Sequence, residues 1–150
     1  MLVLLNNELS VFNTHLEAGV RSLVFLNSTF PNSFDLNALL VADYVIVNSE
    51  DFNGPKSLHP KAPNRSGALV VRRETVFKGV ELMISCGLIK EEFKTCGINY
   101  RATGDAQAYI RQLKTEYSKQ LKIRSEWLSN SIADGTIEFG EISIDSVVKI

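Results

Sequence analysis

Cysteine is nearly missing from this chain. Cys86 and Cys96 are its only two, too few for a disulfide framework and without the paired spacing of a metal site. Histidine is as scarce: His15 and His59 stand far apart, and neither has a second histidine or a cysteine at ligand spacing. An excess of either charge is absent too. Lys and Arg number 16 against 17 Asp and Glu, a formal charge of −1, so no broad basic field drives non-specific nucleic-acid binding. The most apolar stretch, Leu36–Val47, has Asp43 inside it and falls short of the ~20 residues a membrane span requires. The opening Met-Leu-Val-Leu-Leu-Asn-Asn-Glu lacks a basic n-region and a small-residue cleavage site, so no signal peptide and a cytoplasmic location are expected.

Catalytic motifs are missing as well. No glycine-rich phosphate loop, Gly-x-Ser-x-Gly elbow or His-Glu-x-x-His pair occurs, so no catalytic residue, metal site or cofactor site is assigned. Ser57 beside His59 invites a nucleophile–base reading, but near neighbours in a loop rarely hold that geometry. Glu50, Asp51 and Asn53 lack the glycine-containing calcium loop and its terminal glutamate, and read as a solvated turn. Cys86 reads as a small buried apolar residue, Cys96 as a turn residue and His15 as a surface or boundary residue.

What is present is a globular composition, 45% apolar and 22% charged over 150 residues, which fits one domain. Thr14 with Glu17 forms a capping-box pattern ahead of Leu16, Val20 and Leu23, so a helix starts there and ends before Phe30-Pro31. Ser33 or Asp35 caps a second helix from Leu36. Its continuous apolar character predicts burial on more than one side, although Tyr44–Val47 is β-branched enough to be extended. Between Asn48 and Gly67 lie three of the four prolines, and the expectation is a long Pro/Gly-rich loop with no regular element. Glu74, Phe77, Val80, Glu81 and Ile84 keep a helical period to Gly87, a C′ glycine. Leu88–Phe93 and Ile98–Thr103 read as a hairpin turning at Thr95-Cys96-Gly97. One long helix is then expected from Gly104-Asp105, its stripe running Ala106, Ile110, Leu113, Tyr117, Leu121 and Leu128, with Ile123 and Trp127 on a neighbouring seam.

That order predicts a mainly helical α+β fold: a winged helix-turn-helix with a long C-terminal helix and an inserted loop. Residues 1–150 form one domain with its core at 14–132, and 133–150 is a C-terminal strand or tail suggested by the alternation over 136–145. Asp134, Glu138, Glu141 and Asp145 against Lys149 give that tail a charge of −3, better suited to a protein partner than to DNA. Arg72 and Arg73, opening the third helix, and Arg101, on the second wing strand, are candidate DNA contacts, diluted by Glu74, Glu81, Glu91 and Glu92. Residues 109–124 carry Arg111, Lys114, Lys119, Lys122 and Arg124 against Glu116 alone, a local +4 that most simply keeps an outer helix face soluble, with a DNA-facing strip as the lesser reading.

Several segments also resemble a known family. They are Leu16-Glu17-Ala18-Gly19-Val20-Arg21-Ser22-Leu23, Asp43-Tyr44, Gly54-Pro55-Lys56-Ser57-Leu58-His59-Pro60, Arg65-Ser66-Gly67-Ala68-Leu69-Val70-Val71-Arg72-Arg73-Glu74, Gly87-Leu88-Ile89, Gly97-Ile98-Asn99-Tyr100-Arg101-Ala102 and Tyr117…Leu121…Arg124…Trp127. Together they resemble the middle component of bacterial three-component ABC ATPase systems, of a type that looks like Lamassu anti-phage and anti-plasmid defence. The resemblance implies an accessory subunit joining an SMC-like ABC ATPase to an effector, often a nuclease, with DNA reached through the complex and no membrane role. The partner surface expected on this reading is the 48–67 loop, with Gly54, Pro55, Ser57, Leu58, His59, Pro60 and Arg65, ordering on assembly. Two other classes compete: a free-standing winged-helix transcription regulator dimerising through its long C-terminal helix, and a small hydrolase using His59 or a cysteine.

Overall fold

The computed structural model describes residues 14–59 and 65–139, with residues 65–71 described by their backbone alone. Helix α1, His15–Ser28, begins where Thr14 Oγ1 accepts the Glu17 amide at 3.2 Å. It stops short of Phe30-Pro31. Helix α2, Leu36–Val47, takes Asp35 as its cap, the carboxylate accepting the Ala38 amide at 2.8 Å. Tyr44–Val47 is helical, and every residue from Leu39 to Val47 is buried.

The segment from Asn48 to Gly67 departs from the expected loop. Ser49–Phe52 is a 3-10 turn closed by Asn53 in the left-handed region at φ 62°, and helix α3 already starts at Arg65. The turn survives because local bonds hold it: Ser49 Oγ donates to the Pro55 carbonyl at 2.7 Å, and the Gly54 amide donates to Ser49 O at 3.0 Å. Helix α3, Arg65–Ser85, ends in the expected glycine. Gly87 has φ 77°, with its amide on Ile84 O and that of Leu88 on Met83 O, both at 3.0 Å.

Strands β1, Ile89–Lys94, and β2, Gly97–Ala102, pair antiparallel from Ile89↔Ala102 to Lys94↔Gly97. Paired backbone bonds between Phe34 and Tyr100, at 3.0 and 2.8 Å, tie β2 to the segment before α2. The single long helix expected next is two. Helix α4, Ala106–Arg111, is separated from α5, Glu116–Ala133, by a break at which Thr115 Oγ1 caps the Ser118 amide at 3.1 Å. Ala106, Ile110, Leu121 and Leu128 are all buried, so both helices present one continuing apolar stripe to the same core. Ile123 leaves the expected seam and is half-exposed. After α5, Ile137 is buried and Phe139 packs on Phe25 and Phe34 at centroid distances of 5.9 and 5.8 Å. Residues 136–139 are therefore an inward turn rather than a strand, and 140–150 lie outside the described residues.

The result is a mainly helical α+β body with five α-helices and one hairpin among the described residues. Helices α1 and α3 cross at two glycines: a Cβ placed on Gly19 would sit 2.6 Å from the Gly79 carbonyl oxygen. No helix among the described residues is long and apolar enough to cross a membrane.

Candidate functional site

Asp43 is the only charged residue in an otherwise nearly apolar helix, and it is fully buried. A buried carboxylate requires charge partners, because desolvation alone disfavours its ionised form. Two neighbouring helices supply them. Arg21 of α1 donates from Nε to Asp43 Oδ1 at 2.6 Å, and Arg72 of α3 donates to Oδ2. Three helices are thus pinned by one carboxylate. Burial would push the Asp43 carboxyl up, but the two guanidiniums hold it below the usual range. Burial likewise opposes the charge on Arg21, and Asp43 with Tyr117 more than restores it.

The network continues outward through α5. Arg21 donates to the Tyr117 hydroxyl at 3.2 Å, and that hydroxyl lies 2.8 Å from His59 Nε2, with the rings 5.7 Å apart. Burial first, then the positive charge of Arg21, depresses His59 to about 4, while burial raises Tyr117 to about 12. Near pH 7 the imidazole is therefore neutral and the phenol protonated. The arrangement that uses both roles of the hydroxyl has it accepting from Arg21 and donating to Nε2.

The loop carrying His59 is clasped to α5 at two further points. Arg124 donates from Nε to the Lys56 carbonyl at 2.8 Å, and its second nitrogen bonds the Gln120 carbonyl at 3.0 Å. Gly54 lies against the Trp127 ring, where any Cβ would overlap the indole. Tyr117, Arg124 and Trp127 share the inner side of one helix, at spacings of seven and three residues. The loop also braces itself: the Ser57 amide donates to Glu50 Oε1 at 2.9 Å, and the Leu58 amide to the Val47 carbonyl at 2.9 Å.

These positions define where the sequence-derived candidates stand. Gly54, Pro55, Ser57, Leu58 and His59 form one clasped loop; Leu58 packs against the core and His59 is 6% exposed. Residues 54–59 of that segment are folded against α5. Pro60 and the Arg65 side chain lie outside the described residues. Arg72 is turned inward to Asp43, Arg73 donates to Asn37 Oδ1 at 2.6 Å, and Arg101 lies 3.5 Å from Glu92. Cys86, expected to be buried, is exposed, as is Cys96. No group of His, Cys, Asp and Glu among the described residues could hold a metal ion. Residue-by-residue reading missed the role of Asp43 and Arg21. The available signal was an acid inside an apolar run, facing an arginine on the apolar stripe of α1.

The chain therefore belongs to a class of small, mainly helical α+β proteins centred on a buried ion network and a clasped loop. Residues 11–141 match the family model for the ABC-three component (ABC-3C) system Middle Component 2, and the chain belongs to that family. It is a middle component of a three-component ABC system. No match to it was found among curated proteins or among solved structures.

Proposed function

We propose that this middle component is a non-catalytic accessory subunit of a cytoplasmic Lamassu-type defence complex, joining an SMC-like ABC ATPase to an effector such as a nuclease. Family membership carries the reading. The site chemistry supports it: Asp43 is ion-paired with both Arg21 and Arg72, and His59 and Tyr117 are both held in their uncharged forms near pH 7. In this reading they hold the loop, through the Tyr117 hydroxyl between Arg21 and His59. A preformed loop suits docking, since less conformational freedom is lost on binding. Its outer side, with Asn53 and Lys56 exposed and Pro55 and Ser57 half-buried, is the contact surface in this reading.

The order of three helices, hairpin and further helices is the basis for describing the body as a winged helix. In that description α3 would be the recognition helix of a free-standing DNA-binding regulator. The intramolecular partners of Arg72, Arg73 and Arg101 count against that second reading.

Co-expression with the ATPase and effector of the same system, followed by tagged pull-down, tests the proposal. Recovery of both partners, and their loss with Lys56→Glu while the melting temperature holds, is the expected result. Recovery of neither, or metal-dependent DNA cleavage or ATP turnover by the chain alone that one substitution removes, overturns it.

A further inference from the structure

The cations of this molecule are sorted by position. On the α3 and hairpin side most have partners: Arg72 with Asp43, Arg73 with Asn37, Lys78 with Glu74 at 2.9 Å, and both Lys94 and Arg101 with Glu92, while Lys90 on β1 is exposed and forms no ion pair with a described residue. At the corner between α4 and α5 the opposite holds. Arg111, Lys114 and Lys119 are exposed and form no ion pair with a described residue. Lys122 joins them: its Nζ donates to the Leu113 carbonyl at 2.7 Å, which fixes it beside the α4–α5 connection and leaves two N–H groups to donate. Lys119 and Lys122, three residues apart, are surface neighbours on α5.

Arg111 and Lys122 also line one open groove of about 420 Å³, together with Val24, Ile110, Gln107 and Asn130 and with one acid, Glu126. Guanidinium, ammonium and amide donors along a groove are the groups that meet phosphate oxygens. Exposed aromatic residues, which mark the centre of a protein interface, are carried by other elements; Ile123 is the one large apolar side chain exposed on α5.

We propose that the α4–α5 corner, with Arg111, Lys114, Lys119 and Lys122, is a surface for the phosphate backbone of duplex nucleic acid. It reads no sequence. Charge complementarity selects the ligand: a strip of four cations with Glu116 and Glu126 as the nearby acids, on a chain whose formal charge is −1. This inference goes beyond the subunit reading and stands independently of it, since the isolated chain suffices to test it.

The test is fluorescence anisotropy with a duplex of about 20 base pairs of arbitrary sequence, titrated from about 50 mM salt upward. Four phosphate contacts predict a slope of log K against log salt near −3.6, that is about −0.9 per contact. Arg111→Gln, Lys114→Gln and Lys119→Gln combined should weaken binding at low salt about tenfold or more and flatten the slope by nearly 3. Lys78→Gln, Lys90→Gln and Lys94→Gln, with the same charge change on the other side, should alter affinity by less than about threefold. Equal loss in both variants would reduce the effect to net charge and overturn the site. Undetectable duplex binding by the unaltered chain at low salt also overturns it, as does retention of polyglutamate in place of DNA, which would assign the strip to an acidic protein.

Discussion

The two faces of α5 use similar residues for opposite tasks. On the inner face Tyr117, Arg124 and Trp127 hold the loop, and Arg124 places its guanidinium on backbone carbonyls while only 6% exposed. On the outer face Lys119 and Ile123 stand in solvent. A cation buried with its donors satisfied fixes a conformation, whereas an exposed one adds charge and little stability. Substitutions on the two faces should separate in the same way.

The largest effect is expected at the root of the inner network. Asp43→Ala leaves two guanidiniums facing each other without their carboxylate, and breaking a buried pair this way costs about 3–5 kcal/mol. In a chain of this size that lowers the melting temperature by about 10 °C or more. Replacing Arg21, Asp43 and Arg72 together by Met, Leu and Met should be milder than Asp43→Ala, because it removes the charges with their partners. Calorimetry of the two variants ranks them; a triple variant less stable than the single one would mean the ion network itself, not its imbalance, holds the three helices.

Acid should weaken the clasp next. His59 has an ordinary value of 6.5 and is depressed to about 4 in the fold, so the unfolded chain takes up a proton first. Its contribution is therefore fully present above pH 6.5 and is lost as pH falls from there toward 4, up to about 3 kcal/mol in all. Denaturant unfolding from pH 7.5 to 4.5 should show this slope, and His59→Gln should flatten it. An unchanged slope in His59→Gln would mean other groups carry the acid sensitivity.

Close packing of the clasp gives a smaller step. Gly54→Ala puts a methyl into the Trp127 ring, and overpacking of this kind costs about 1–3 kcal/mol. Because the loop can swing away where a helix crossing cannot, Gly79→Ala at the α1–α3 contact should be the worse of the two. Urea unfolding midpoints of the pair test that order.

How far the sequence revealed this architecture depended on how local the cause was. Thr14 with Glu17, Asp35 and Gly87 act within a few residues, so the ends they set were legible. The α4–α5 break was hidden because Ala106, Ile110, Leu121 and Leu128 keep their apolar phase across it, and Thr115 is one hydroxyl among many. The loop's folded state was hidden for a different reason. Proline and glycine forbid regular elements there, but its order comes from Tyr117, Arg124 and Trp127, more than 50 residues away. The family resemblance had already grouped both halves of that contact without indicating that they touch. Arg72 shows the same limit: its charge was visible, but its inward turn depends on Asp43 on another helix.

The smallest effect belongs to the outer face, and it is the sharpest check on the comparison. Lys119 is exposed on α5, four residues after its Thr115 cap, with no ion pair to a described residue. Lysine and alanine differ little in helix propensity, and a surface substitution away from caps and pairs stays within about 0.5 kcal/mol. Lys119→Ala should therefore leave the melting temperature within about 2 °C of the original, while Arg124→Ala, five positions on and facing inward, lowers it by several degrees. Proximity in sequence makes the pair informative: both changes remove one positive charge from the same helix, so any long-range charge effect is nearly common to both. The difference between them isolates the satisfied hydrogen bonds of Arg124. If Lys119→Ala were as destabilising as Arg124→Ala, the outer face would be carrying a contact of its own, and the division of α5 into a holding face and a displayed face would fail.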